Sequence, residues 1–336
     1  MFENLVIQDN TDLWRGVILH GKNASTYKIA LGQLLINYSN RNFTKIPLDE
    51  LAQDFYHTYQ KRMDKGLRQN KTSGRDTYVE QMVNEVKVGK TKESNALEFI
   101  KENSLKNMVL QRFNTICGKK IPEPFYTFDD RNLMLSDNIL EVFSGKKNSP
   151  LQNELNSRWD LLEHAFTESN AAATLELDEK LEWLIHTTKR TNITSFTDVL
   201  QGYQQGKCFY CDEEMEGDIE VDHVIPRQAL GHDEVWNLVL AHKFCNQDKS
   251  DNLPPTPFIE ALFVRNEYVM DSNLPLREHL RLIVKKTAAE RWNQIQEAYK
   301  FANKKIGDRF WGGSIKYDPR ENPHYKRVRK IYDRIL

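Results

Sequence analysis

The chain has 336 residues, enough for two domains or for one core with a large helical partner; 39% are hydrophobic, 10% aromatic and 28% charged. That balance is globular and excludes long disorder, and no window approaches the run of about eighteen apolar residues that a membrane-spanning helix needs. With 47 basic against 48 acidic residues the chain is not a general nucleic-acid coating protein, so any nucleic-acid contact must come from local patches.

Met1-Phe2-Glu3-Asn4 places an acid early and no basic flank before an apolar run, so no secretion signal is expected, and a cytoplasmic location is. Residues 1–198 read as a mainly helical domain. Gly16–Lys22 matches the start of a phosphate-binding loop. Asn23, however, stands where Ser or Thr should hold magnesium, and Val17, Ile18 and Leu19 suit a buried strand, so no ATP or GTP site is expected. After Ser25, Tyr27, Ala30, Leu31, Leu34, Leu35 and Tyr38 trace a helical stripe. Pro47 opens a second helix with Leu48, Leu51, Ala52, Phe55, Tyr56 and Tyr59 on one face and Asp49 and Glu50 in its first turn. The basic stretch Lys61–Arg75, with Gly66 and Gly74, reads as a loop or mobile connector.

Further helices are expected around Leu97–Phe113, Leu151–Phe166 and Asp178–Lys189, separated by Pro122-Glu123-Pro124 and by the stretch 145–150. Trp14, Trp159, Trp183 and Trp292 lie in helical or apolar patterns and are expected in the core, with Cys117 packing as a small apolar side chain. From Cys208 to Pro257 the texture changes to short alternating runs broken by Gly217, Gly231 and prolines. Helices return over Leu276–Val284 and Ala288–Ala302, and the tail Lys316–Arg334 is basic and aromatic. The expected fold class is α+β, mainly α: a helical domain over 1–198, a compact unit over 199–262 and a C-terminal helical extension over 263–336.

Three of the four cysteines cluster in that compact unit, which speaks for metal binding rather than a disulfide framework. Cys208 and Cys211 form one pair of soft ligands separated by two residues, and His242 and Cys245 form another. Two such knuckles supply the four ligands of a tetrahedral structural zinc. Thiolate and imidazole suit zinc and not magnesium.

Between the knuckles lie Val221-Asp222-His223-Val224-Ile225-Pro226-Arg227 and Trp236-Asn237-Leu238, followed by Cys245-Asn246-Gln247-Asp248-Lys249. This order resembles the HNH, or ββα-metal, endonuclease family, whose members carry a D-H-I-x-P strand, a central N-L and a C-N-x-x-K helix start between zinc knuckles. Lys249-Ser250-Asp251-Asn252-Leu253-Pro254 also resembles the end of the HNH domain in RNA-guided CRISPR effectors. The resemblance departs from the commonest pattern at His242, where many members have cysteine, and at Asn246, where many have histidine; both changes keep a usable ligand.

The chemistry asks for these residue types. His223 is the expected general base, since imidazole takes a proton near neutral pH. Asp222 offers a carboxylate and Asn246 an amide oxygen to a magnesium or manganese ion. The resemblance gives Asn237 a hydrogen bond that fixes the backbone near His223. Lys249 and Arg227 flank the site and are expected to meet substrate phosphates. Adjacent strand residues face opposite sides, so the strand must end or twist for Asp222 and His223 to act together. The expected activity is cleavage of double-stranded DNA, with RNA as the alternative substrate and a non-catalytic zinc module binding nucleic acid or protein as the rival. By analogy, a helical domain beside such a nuclease suits a protein partner or self-association, in bacterial defence against phage.

Overall fold

The computed structural model describes residues 7–332 apart from 8, 22–23, 72–74, 144–147, 168–196, 198–199, 232–233, 273–274 and 308. The helix expected at 178–189, Trp183, Lys22, Asn23 and the 198/199 boundary therefore lie outside the described residues.

Helix α1 (Asn10–Leu19) is capped by the Asp9 carboxylate, which accepts from the Asp12 amide at 2.8 Å, and buries every side chain from Leu13 to Leu19. The expected buried strand over Val17–Leu19 is thus a helix, because a short continuous apolar run has no period that separates the two. Helix α2 (Tyr27–Asn40) buries Lys28, Ile29, Ile36 and Ser39 as well as the expected stripe, so it is a core helix rather than an amphipathic one. Helix α3 (Leu48–Met63) buries the face expected for it, Leu48 through Tyr59.

Loop 64–71 is no mobile connector. Gln69 is fully buried; its amide oxygen accepts from the Thr26 hydroxyl at 2.7 Å and the Trp159 indole at 2.9 Å, and its amide nitrogen donates to Glu163 at 2.6 Å. A single polar anchor of this kind has no periodicity and is invisible in sequence.

Helices α4 (Tyr78–Lys87) and α5 (Glu93–Ile100) pack on α3. The one helix expected at 97–113 is instead α5, a π-helix (Lys101–Val109) and the short α6 (Leu110–Arg112). Small strands follow that the sequence reading missed. Strands β2 (Thr115–Ile116) and β3 (Lys119–Lys120) form a hairpin, turning at Cys117 and Gly118 with φ of 51° and 82°. Strands β1 (Lys45–Pro47), β5 (Asn132–Leu135) and β4 (Tyr126–Phe128) make an antiparallel sheet in that order, with Ile46 opposite Leu133. Runs of two to four residues are too short to show alternation. Helices α7 (Asp137–Val142) and α8 (Asn148–Thr167) complete this part, with Trp14 and Trp159 in the core as expected.

The second part is built around β6 (Ile219–His223) and β7 (Leu238–His242), antiparallel with Ile219 opposite His242 and His223 opposite Leu238. Helix α9 (Arg227–Leu230) and a 3-10 turn (Val235–Asn237) connect them, and α10 (Lys243–Lys249) packs across both strands. Then come α11 (Thr256–Met270), α12 (Pro275–Ile283), α13 (Ala288–Ile306) and α14 (Pro323–Tyr332). Helix α11 runs unbroken through 262/263, so the boundary expected there cuts a helix. One apolar cluster runs from Leu13 to Trp311. With 59% helix and small sheets, the fold is α+β and mainly α. No helix among the described residues is long and apolar enough to cross a membrane.

A buried ion cluster ties the two parts together. Glu154 on α8 accepts from Arg15 on α1 at 2.8 Å and from Arg158 at 3.4 Å, all three side chains being buried. A Cβ at Gly202 would fall 1.7 Å from the Arg158 guanidinium, and one at Gly206 would fall 2.8 Å from that of Arg15. The chain entering the first knuckle therefore lies directly on the two arginines. Glu154→Ala leaves two buried guanidinium ions facing each other, and we expect it to lower the unfolding free energy by about 3–5 kcal/mol. Urea titration followed by circular dichroism measures this; a loss under about 1 kcal/mol, the scale of a surface pair, would mean that the cluster does not hold the parts together.

Candidate active site and metal centre

The first knuckle is a tight turn. The Cys208 amide donates to the Glu213 carbonyl at 2.9 Å, the Asp212 amide donates to the Cys208 carbonyl at 3.0 Å, and Asp212 takes a φ of 59°. The second knuckle is the junction of β7 and α10: His242 ends the strand and caps the helix, and Cys245 lies in its first turn. The ligand atoms of Cys208, Cys211, His242 and Cys245 all lie within 4.8 Å of one another. Cys211 Sγ is 3.5 Å from His242 Nδ1, and the His242 backbone amide donates to Cys208 Sγ at 3.4 Å.

His242 Nε2 sits 3.1 Å from the Glu214 carbonyl. A carbonyl can only accept, so Nε2 carries the proton and Nδ1 presents its lone pair to the sulfurs. Burial, with the neighbouring sulfurs adding to it, pushes the Cys211 thiol up to about 11 and raises Cys245 further. Three soft sulfurs and one oriented imidazole nitrogen form a donor set that could hold a zinc ion, and a dication there would offset the burial of thiolates.

Strand β6 leads away from this centre. Alternation puts Glu220 and Asp222 on one face, the face that α10 covers. Asp222 Oδ2 accepts from the Tyr210 hydroxyl, in the middle of the first knuckle, and from Lys249 Nζ at 3.0 Å. Asn246 donates through Nδ2 to Glu220 at 2.8 Å.

Lys249 differs from the expectation of a phosphate-facing cation. It is 1% exposed, pairs with Asp222, and also donates to the His223 carbonyl at 2.8 Å and the Ser250 carbonyl at 3.2 Å. The reason is helical: the last turn of α10 lies over β6, so position 249 faces the strand and not solvent.

The strand ends at His223, which is half-buried, as the adjacency of Asp222 and His223 requires. Asn237, fully buried, fastens the loop that follows. Its amide nitrogen donates to the Ile225 carbonyl at 2.7 Å, its amide oxygen accepts from the Ile225 amide at 2.8 Å, and its own carbonyl accepts from the Val224 amide at 3.0 Å. Pro226 caps α9, whose first residue, Arg227, is exposed beyond the loop.

The structure thus brings Asp222, Asn246 and Lys249 together against one face of β6 and sets Asn237 under the turn after His223. Sequence reasoning missed Glu220, although its spacing of two from Asp222 on a strand was a signal. It also missed Tyr210, for which no signal exists. Arg265 and Asn266 on α11 were missed too; they donate to the Trp236 carbonyl at 3.1 Å and 2.9 Å and hold the turn that delivers Asn237. Trp311 was read as nothing in particular, yet its indole donates to Asp248 at 2.7 Å and its ring packs edge-on to Tyr210.

A hairpin and helix framed by two ligand pairs, with an Asp-His strand end between them, defines the ββα-metal class. Residues 208–255 match the family model described as HNH endonuclease, and the chain carries an HNH endonuclease domain over that span. No solved structure matches the chain.

If the four ligands close one site, purified protein should carry about one zinc per chain. Cys211→Ser should lose the metal and unfold the 208–255 segment, because an ion of this kind supplies on the order of 10 kcal/mol of folding free energy. Metal analysis with circular dichroism decides it: full zinc content and intact folding in that variant would end the assignment.

Proposed function

We propose that the protein is a metal-dependent endonuclease that hydrolyses phosphodiester bonds in double-stranded DNA. The observation that carries this reading is the end of β6: Asp222, held by Tyr210 and Lys249, adjoins His223, whose following loop is clamped by Asn237.

In this reading the His223 imidazole takes the proton of the attacking water. Lys249 on its carbonyl and Asn237 on the next loop residues hold the backbone that positions it. Lys249 thereby acts through His223 and Asp222 rather than on the phosphate, and Arg227, exposed at the start of α9, is the phosphate contact. One Asp222 oxygen is engaged by Tyr210 and Lys249, and the other is the hard ligand for a divalent cation. The Asn246 amide nitrogen is bound to Glu220, and its amide oxygen would be the second ligand to that cation. Magnesium or manganese held there would supply charge neutralisation on the phosphate. Zinc at Cys208, Cys211, His242 and Cys245 is the structural staple.

A non-catalytic zinc module is the weaker reading. Burying the Asp222–Lys249 pair costs desolvation of two charges, and a zinc staple has no use for it. We assign the helical part, residues 1–198, to regulation or to a protein partner, with defence against foreign DNA in the cytoplasm as the role reached by analogy.

The test is single-turnover nicking of plasmid in magnesium or manganese. His223→Ala should keep its zinc, its melting temperature and its DNA affinity while cleavage falls by roughly two to four orders of magnitude. Asp222→Ala and Asn246→Ala should also lose activity, and raising the divalent ion should partly restore them but not His223→Ala. Asn237→Ala should show an intermediate loss. Wild-type cleavage by His223→Ala would refute this assignment, and cleavage of labelled RNA in place of plasmid would move the substrate class to RNA.

A further inference from the structure

Outside the nuclease segment, the start of α2, the end of the π-helix and the β2–β3 hairpin line an open cleft of about 500 Å³. That is the size of a small-molecule site. Tyr27, Met108, Val109 and Phe113 give it apolar walls, Lys28 and Arg112 border it, and none of its lining residues is acidic.

Lys28 is 6% exposed and has no carboxylate partner among the described residues. Its Nζ donates to the Thr115 carbonyl at 2.9 Å and to the Val17 carbonyl at 3.3 Å, and lies 5.7 Å from the centre of the Phe113 ring. An ammonium has three donors, so one remains. A Cβ at Gly21 would fall 2.6 Å from this nitrogen, so only glycine there lets the side chain reach its place. Burial pushes the ammonium down to about 7, with no carboxylate to hold it up. A buried cation without a counter-charge is costly and shifts towards the neutral amine, so an anion placed beside it would restore the ammonium and its third donor. The wall at Met108 and Val109 is π-helical, a form that is rare and recurs at functional sites.

We infer that this cleft binds a small organic anion, its apolar body against Tyr27, Met108, Val109 and Phe113 and its anionic group on Lys28, with Arg112 at the rim. It is not a nucleotide cradle of the P-loop kind, since Gly16–Leu19 is helical and offers no open row of amides. The site does not depend on the nuclease reading, and a ligand here would give the helical part a signal to respond to.

Two fluorescent probes of one shape test it on the full chain: 1-anilinonaphthalene-8-sulfonate and the uncharged N-phenyl-1-naphthylamine. The sulfonate should bind at a single saturable site, and the uncharged probe about tenfold or more weaker, the worth of one charge-assisted hydrogen bond. Lys28→Met should lose sulfonate binding by a similar factor with its circular dichroism unchanged. Arg112→Ala, an exposed position that cannot disturb the core, should lose less. Equal affinity for the two probes, sulfonate binding unchanged in both variants, or no saturable binding to the wild-type chain would each overturn the inference.

Discussion

Three sulfurs and an imidazole brought within 4.8 Å of one another are the constraint on which the nuclease segment depends. The four ligands come from a tight turn, a strand end and a helix start, so one centre fixes three elements at once. Burial disfavours thiolates there, and a cation among them would offset that cost. The same centre sets the geometry around Asp222 beside it. Tyr210, between the two cysteines of the first knuckle, reaches Asp222, and α10, which begins at the second knuckle, ends at Lys249 on the same carboxylate. The four-ligand cluster and the Asp222-His223 strand end are thus two ends of one piece.

That piece is braced from both sides of the chain. Helix α11 holds the Trp236 carbonyl with Arg265 and Asn266, Trp311 closes over Tyr210 and Asp248, and the Arg15–Glu154–Arg158 cluster seats the entry to the first knuckle. Arg265 has no carboxylate partner among the described residues, and burial pulls its guanidinium down to about 9. A buried arginine held only by carbonyls stabilises little, which fits a part that positions Asn237 rather than one that adds folding energy. The C-terminal extension is therefore continuous with the nuclease scaffold, and the apolar core that begins in α1 reaches it without a break.

Much of this was legible in the residues alone. Two ligand pairs, each separated by two residues, with Asp222-His223 and Asn237 between them and Asn246 directly after the second, stand out because metal coordination and local backbone turns act over a few residues. Helices α3, α8 and α13 were legible for the same reason: a stripe of apolar side chains repeats within the element itself. The strands of two to four residues were not, being too short to show alternation, nor was the loop at Gln69, which is anchored by Trp159 far along the chain.

What the sequence determined, then, was the inventory: four candidate metal ligands, the Asp222-His223 pair, Asn237 and Asn246, and the order in which they meet the strand and helix. What only the tertiary structure decided was which charge faces which. Lys249 reads as a phosphate contact because it follows the motif, yet it is buried on Asp222 because α10 crosses β6 at that turn. Lys28 reads as one more helix residue, yet its amino group is buried with no carboxylate partner among the described residues because Gly21 and the β2–β3 hairpin close around it. Spacing along a chain fixes which groups are near in sequence; burial and pairing depend on elements that only packing brings together.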